Sequence, residues 1–217
     1  MEIEFKKFSG ISLIVGSILM VATMLLHPSG GNIEHILKIK NIIIVSHSLA
    51  ILSLPFVAFG FWGLTIALLT KSKISVLSFI ISCFGLFATM IAATINGLTL
   101  PLFLSQIVPQ NTDVNLIKAI STYGRNINIP MDYILIIAFA LSISIWSLLI
   151  IQSKTFPKWI GYYGLLLILF GVFALFNSYN FISLFGFRII IFGIVSWIIA
   201  VGIKILLTDK SRIKTNE

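Results

Sequence analysis

The sequence predicts an all-α fold, a polytopic bundle of six membrane-spanning helices that forms one integral membrane domain over residues 1–217. The first observation is composition, because 58% of the residues are hydrophobic and only 10% are charged, whereas a soluble domain carries about 25% charged residues. The second is length, since six apolar runs approach or exceed the roughly 20 residues that cross a bilayer. The third is pattern: no run alternates like a barrel strand, and lipid admits only helices or closed barrels.

Charged residues, prolines and glycines bound the six apolar runs. The spans are expected at about 8–26, 42–69, 74–100, 130–151, 159–176 and 187–207. The first follows Lys6 and Lys7 and ends at "HPSGG", where proline and paired glycines terminate a helix. Its apolar run is longer than that of a usual signal peptide, and no A-x-A-like cleavage site follows it. We therefore expect the first span to be retained.

Prolines and small residues indicate how the middle spans are shaped. Pro55, inside the second span, removes a backbone N–H and is expected to kink the helix. The third span is expected to end at Pro101. Closely spaced glycines in the second and fifth spans are typical of close contact between membrane helices. These glycines are Gly60, Gly63, Gly161 and Gly164.

The longest loop is expected between the third and fourth spans, over residues 101–129. Pro109 and the "QNTD" after it are typical of a turn before a helix start, with Thr112 or Asp113 as the N-cap. "VNLIKAI" then fits a short helix at the membrane interface. Between the first two spans, residues 33–40 fit another interfacial helix if the chain breaks near Asn41.

Basic residues are distributed unevenly between the two sides of the predicted bundle. Nine flank one side: Lys6, Lys7, Lys71, Lys73, Lys154, Lys158, Lys210, Arg212 and Lys214. Five flank the other: Lys38, Lys40, Lys118, Arg125 and Arg188. Because Lys and Arg are enriched in cytoplasmic loops, both termini are predicted to be cytoplasmic. The net charge of +8 then reflects topology and attraction to anionic lipid headgroups, not binding of nucleic acid.

The segment "KTFPKWIGYYGLLLILFGVFALF", residues 154–176, places a basic residue, proline and tryptophan before a glycine-rich span. This pattern resembles a group of small bacterial six-span integral membrane proteins of unknown function. The resemblance covers the span count and this one motif, which is a small part of the chain. It implies a location in the bacterial inner membrane, and it implies neither a reaction nor site residues.

All three histidines of the chain lie within residues 25–50. His35 and His47 are 12 residues apart, or roughly 18 Å along a straight helix, so one metal ion cannot reach both unless the helix breaks. No H-E-x-x-H or comparable spacing is present, and His27 precedes Pro28 at a helix end. We expect no metal site and no cofactor. The histidines are interpreted as interfacial residues, with metal binding or a place in a ligand pocket as alternatives.

Four polar residues from four spans are predicted to form a ligand-binding site near the extracytoplasmic boundary. They are His47, Asn96, Asp132 and Arg188, each 19 or 22 residues from the inner end of its span. Asp132 is the only acidic residue within a predicted span, and it is expected to pair with Arg188 because a charge at this depth needs a partner. The predicted rim consists of Tyr123, Arg125, Asn126, Asn177 and Asn180. The alternative is a salt bridge that only ties two helices together.

The leading hypothesis is a non-enzymatic multi-pass protein that binds or transports a small or lipid-like ligand through this outward-facing pocket. The second is a membrane-embedded enzyme that uses His47 and Asp132 as acid–base groups or metal ligands, although the sequence has no histidine cluster and no serine nucleophile motif. The third is a non-catalytic subunit of a membrane complex. The expected partners are the lipid bilayer and a small-molecule or lipid ligand, and not nucleic acid.

Overall fold

The computed structural model describes the backbone of residues 3–108 and 113–213 and the side chains of residues 4–108 and 113–207. Its helices are α1 (Ile3–Leu26), α2 (Ile33–Lys38), α3 (Lys40–Leu69), α4 (Ile74–Ala92), a π-helical segment (Ala93–Thr99), α5 (Leu100–Ile107), α6 (Val114–Gln152), α7 (Lys158–Phe176) and α8 (Leu184–Ile213). Within these residues, six helical segments are long and apolar enough to cross a membrane, and no strand is present. The predicted all-α, six-span architecture is therefore confirmed.

Consecutive spans pack side by side, and the last span returns to the first. Helix α1 contacts α3 and α8, α4 contacts α3 and α6, and α6 contacts α7. Large aromatic side chains fill the centre, where the ring centroids of Phe61 and Trp146 are 4.8 Å apart and Trp146 stacks on Trp197 at 6.4 Å. All three side chains are fully buried. These contacts fix α3, α6 and α8 relative to one another.

Glycines allow two pairs of helices to approach closely, as predicted. An added Cβ would overlap the neighbouring helix at Gly60, Gly63, Gly161 and Gly164. The first two face α1, and the other two face α6. In a bilayer, where the hydrophobic effect does not drive helices together, such close packing is a main source of association.

Two prolines expected to bound spans lie inside helical segments instead. Pro101 is the second residue of α5, which continues directly from the π-helical segment. The proline ring crowds the carbonyl four residues earlier, at Gly97, and the wider π-helical turn accommodates that contact. Helix α6 begins at Val114 and passes through Pro130. The predicted long loop over residues 101–129 is therefore wrong.

The connection between α5 and α6 is short, and only part of it is described. Asp113 is the N-cap of α6, as predicted, because its side-chain oxygen accepts a hydrogen bond from the backbone N–H of Asn115 at 2.8 Å. "VNLIKAI" is the first part of α6 and not a separate helix. The predicted turn at Pro109 and the alternative cap Thr112 lie outside the described residues. So do Lys214 and the side chains of the other tail residues.

The segment between α1 and α3 contains the predicted short helix. The side chain of Asn32 caps α2 by accepting from the backbone N–H of His35 at 2.9 Å. The break between α2 and α3 falls at Ile39, where ψ changes to 14°, two residues before the predicted break at Asn41. This break lets α3 start in a new direction while α2 packs against α5.

Candidate functional site

Two of the three histidines meet near the end of α1. The ring centroids of His27 and His47 are 4.8 Å apart, and the ring planes are inclined by 52°. His27 is the first residue after α1, and His47 lies in the early part of α3. Both side chains are partly buried. The contact therefore joins two spans that are neighbours in the bundle.

The Nδ1 atom of each imidazole faces a main-chain carbonyl oxygen. His27 Nδ1 lies 3.1 Å from the oxygen of Pro28, and His47 Nδ1 lies 2.8 Å from the oxygen of Ile43. The hydroxyl oxygen of Ser46 is 3.2 Å from His47 Nδ1, and that hydroxyl donates its own proton to the carbonyl of Ile43 at 3.0 Å. Because a carbonyl oxygen only accepts hydrogen bonds, each Nδ1 carries the proton and donates it. Each Nε2 then has a free lone pair, and no donor in the described part of the chain reaches it. The pair presents two neighbouring acceptor nitrogens.

The π-helical segment supplies the wall next to His47. Gly97 lies so close to the imidazole of His47 that an added Cβ would overlap the ring. In the same segment, Asn96 donates from Nδ2 to the carbonyl oxygen of Gly124 on α6 at 3.1 Å. The widened turn therefore places Asn96 against α6 and the next residue, Gly97, against α3. Such turns occur frequently at functional sites.

Arg188 on α8 caps the C-terminal end of α1. Its Nε donates to the carbonyl oxygen of Met24 at 3.0 Å, and its Nη2 donates to that of His27 at 2.8 Å. The last carbonyls of a helix lack intrahelical partners and carry partial negative charge, so a guanidinium group suits them. The predicted Asp132–Arg188 ion pair is wrong, because no ion pair joins these two residues, whose side chains are both described.

Asp132 lies deeper along its helix than predicted. Its Oδ2 accepts a hydrogen bond from Nδ2 of Asn128, one turn earlier on α6, at 2.7 Å. Gly124, the partner of Asn96, precedes Asp132 by eight residues, or about 12 Å along the axis. Because α6 begins at Val114, Asp132 lies well inside the helix and does not share the level of Asn96.

A cavity of about 50 Å³ lies in the centre of the bundle, between α1, α3, α4, α6 and α8. Its lining is apolar except for three hydroxyl groups, those of Thr23, Ser53 and Thr89. The other lining residues are Met20, Met24, Ala50, Leu54, Leu86, Leu135, Phe139, Phe187 and Ile191. One water molecule needs roughly 10–15 Å³ of such volume. The cavity therefore has room for a few small groups.

The hydroxyl group of Thr23 is the polar point of this cavity. Thr23 is 3% exposed, and its Oγ1 makes no hydrogen bond within the described residues. The other two hydroxyl groups bond to their own helices, Ser53 to the carbonyl of Ala50 at 2.6 Å and Thr89 to that of Gly85 at 2.9 Å. A buried polar group without a partner is unfavourable. Thr23 therefore belongs to the wall of the cavity and has a hydroxyl group whose hydrogen-bonding capacity is unused.

The histidine pair lies about one helical turn from the cavity. Thr23 and His27 are four residues apart on α1, and His47 and Ala50 are three apart on α3. Residues at these spacings share a helix face, and three or four residues correspond to about 5–6 Å along the axis. We refer to His27, His47, Arg188 and the cavity together as the central site.

His27 is uncharged at neutral pH. Burial, and to a lesser extent the neighbouring His47, lowers the pKa of His27 from its usual 6.5 to about 4. The guanidinium of Arg188 adds to this shift, and the bond to the carbonyl of Pro28 opposes it. A neutral imidazole with a proton on Nδ1 agrees with the hydrogen bonding of the ring.

The four predicted site residues do not form one cluster. His47 and Arg188 both approach His27 and belong to the central site, and Asn96 lies beside it in the π-helical segment. Asp132 pairs with Asn128 instead.

The five predicted rim residues are exposed: Tyr123, Arg125, Asn126, Asn177 and Asn180. Among the described residues, no three or more His, Cys, Asp or Glu side chains are grouped so as to hold a metal ion.

Two residues of the central site, His27 and Thr23, were not among the site residues predicted from the sequence. A signal for them was present, because Met20, Thr23, Met24 and His27 follow the i, i+3, i+4, i+7 spacing of one helix face. Three of these four residues line the cavity. Because His27 precedes a proline, it was interpreted only as a helix end and not as part of this helix face.

Comparison with known proteins finds no matching family model, no matching curated protein and no matching solved structure. The function is therefore inferred from the geometry of the central site.

Proposed function

We propose that this chain is a multi-pass protein of the bacterial inner membrane that binds a small or lipid-like ligand in the central site. One observation carries the proposal: a cavity with an unpartnered buried hydroxyl, that of Thr23, lies one turn from two acceptor nitrogens, on His27 and His47. Apolar pockets with a few convergent polar groups are typical of ligand sites. The ligand places a short part of its apolar chain in the cavity and its polar end at the histidines.

The proposal includes an orientation, with both termini in the cytoplasm. The side with the N-terminus carries Lys6 and Lys7 on the first span and Lys71 and Lys73 between the second and third. Basic residues concentrate on the cytoplasmic side of membrane proteins. Since α1 then starts in the cytoplasm, its other end, with His27, lies toward the extracytoplasmic face.

The two other functions considered from the sequence receive less support. An enzyme that uses His47 with Asp132 requires the two side chains to cooperate, but each is hydrogen-bonded within its own helix, to Ile43 and to Asn128. A non-catalytic subunit of a membrane complex does not account for the cavity or for Thr23. That function is distinguished by the outcome of the experiment below.

A cavity-filling variant tests the proposed function. Ala50→Leu adds bulk to the α3 wall of the cavity, and Leu52→Phe adds bulk on the same helix at a side chain that is 52% exposed. The wild-type protein, purified in mild detergent, is examined by native mass spectrometry for a bound amphiphile from the membrane. We expect a retained molecule in the wild type and in Leu52→Phe and its loss in Ala50→Leu.

The same experiment has outcomes that contradict the proposal. An amphiphile retained equally by Ala50→Leu lies on the outer surface and not in the cavity. Absence of any retained amphiphile from all three proteins, together with constant co-purification of one membrane protein, favours the subunit function.

A further inference from the structure

The two Nε2 atoms of the histidine pair can each accept a hydrogen bond. Both Nδ1 atoms donate to carbonyl oxygens, of Pro28 and Ile43, so both Nε2 atoms are acceptors. Two acceptors cannot bond to each other, although the rings are 4.8 Å apart. A group that satisfies either nitrogen must bring its own proton. A carboxylate has none to offer, and its negative charge is repelled by the nitrogen lone pairs.

The charges around the pair disfavour a cation as the donor. The guanidinium of Arg188 is bonded to the carbonyl oxygen of His27 itself, at 2.8 Å. An ammonium group or a metal ion at the Nε2 atoms is therefore repelled by a nearby fixed positive charge. The negative end of α1, which the guanidinium faces through two hydrogen bonds, offsets this charge only in part. The lone pairs of the two Nε2 atoms disfavour an anion, so the pair favours neither sign of charge.

A neutral hydroxyl group meets all of these conditions. It donates one hydrogen bond, to an Nε2, and accepts others from donors that remain on Thr23 or Arg188. Thr23 lies one turn from His27 on the same helix face, and its hydroxyl has no partner within the described residues. The apolar lining next to these groups suits a hydrocarbon chain attached to the hydroxyl.

Building on the proposed function, we infer that the ligand is an uncharged amphiphile with a hydroxyl headgroup, which donates a hydrogen bond to Nε2 of His27 or His47. Long-chain alcohols and monoacylglycerols share this chemistry. The histidine pair then distinguishes a neutral hydroxyl group from the anionic and cationic headgroups that surround the protein in a membrane.

The test compares four probes with the same twelve-carbon chain: dodecanol, monododecanoylglycerol, dodecanoate and dodecylammonium. Binding to the full-length protein in lipid nanodiscs is measured by calorimetry at pH 7. We expect the alcohol or the glycerol ester to bind at least tenfold more tightly than either charged probe. Whichever of the two neutral probes binds better indicates whether the source is a simple alcohol or a glycerolipid.

The three histidines provide matched variants. His27→Phe and His47→Phe remove an acceptor while keeping a ring, and His35→Phe changes the one histidine outside the pair. Because one hydrogen bond is lost, we expect roughly three- to tenfold weaker binding of the neutral probes in the first two variants. Binding of dodecanoate should not change, and His35→Phe should bind like the wild type.

A second readout needs no variant in the site. In protein labelled with ¹⁵N-histidine, a hydroxyl that donates to Nε2 moves that nitrogen signal upfield and leaves the Nδ1 signal in place. The inference is overturned if the Nε2 signals do not move, if a charged probe binds as tightly, or if Zn²⁺ binds stoichiometrically and is lost in His27→Phe. If all probes bind equally and Ala50→Leu abolishes binding, only the hydroxyl inference fails. If no probe binds in the cavity, the proposed function fails as well.

Discussion

His27 and His47 lie with their ring centroids 4.8 Å apart, although His27 follows the first span, His47 lies in the second, and they are 20 positions apart in the sequence. Gly97 packs against one ring, and Arg188 binds the main chain of the other. Residues from four segments of the bundle thus meet at one level, one turn from an apolar cavity. This arrangement leads to four predictions about stability and one about the occupant of the cavity.

The first prediction concerns the contact between Gly97 and His47. Gly97→Ala introduces a Cβ that overlaps the imidazole, so the ring must move. Overpacking of this kind costs about 1–3 kcal/mol, and we expect a matching decrease in the free energy of unfolding in a denaturant titration. Gly171→Ala is the control, because nothing lies within 4 Å of its added Cβ, and helix propensity should stabilise it by up to about 1 kcal/mol. An equal change in the free energy of unfolding in the two variants would contradict the contact between Gly97 and His47.

The second prediction concerns the cap on α1. Arg188→Gln removes the charged hydrogen bonds to the carbonyls of Met24 and His27, and we expect a loss of about 2 kcal/mol or more. The measurement is the unfolding midpoint of the purified protein. Arg125→Gln, at an exposed position, should stay within about 0.5 kcal/mol of the wild type. A similarly small effect in Arg188→Gln would mean that the cap does not form.

The third prediction separates the cap from an ion pair. Asp132 and Arg188 have different partners, Asn128 for the first and the end of α1 for the second. The stability effects of Asp132→Asn and Arg188→Gln should therefore add to within about 0.5 kcal/mol in the double variant. The measurement is a double-mutant cycle of unfolding free energies. A coupling well above 1 kcal/mol would restore the ion pair that the sequence suggested.

The fourth prediction is a loss of stability in acid. Above pH 6.5, His27 is neutral in both the folded and the unfolded chain. As the pH falls from 6.5 to about 4, only the unfolded chain takes up the proton, so the folded state is destabilised by at most about 3 kcal/mol. In the His27→Gln variant, the free energy of unfolding should fall less over this pH range than in the wild type. In the His35→Gln variant, it should fall as much as in the wild type. An unchanged pH profile in His27→Gln would show that His27 is not buried in its neutral form.

The number of spans could be predicted from the sequence because hydrophobicity and length determine which segments enter a bilayer. The span ends next to the predicted basic loops were also located well, as at Leu69 and Gln152, where polar residues follow the apolar run. The ends of the third and fourth spans on the other side of the bundle were predicted wrongly, because Pro101 and Pro130 were interpreted as helix boundaries. A membrane helix tolerates proline when a local π-helical turn or neighbouring helices accommodate the ring.

The site was predictable only in part. The positions of His47 and Arg188 near one level followed from their distance, counted in residues, to the ends of their spans on the side of the N-terminus. The partner of Arg188 could not be predicted, because a main-chain carbonyl at a helix end has no signature in the sequence. The contact of His47 with His27 depends on how α1 and α3 pack, which residue spacing along one helix does not reveal. The role of these residues in ligand binding stays a prediction.

The most direct test is a high-resolution structure of the protein in lipid nanodiscs with monododecanoylglycerol added. We expect density that enters the cavity beside Thr23 and has a polar end about 3 Å from Nε2 of His27 or His47. A cavity filled by its own side chains, or two histidines that point apart into lipid, would contradict the proposed ligand site.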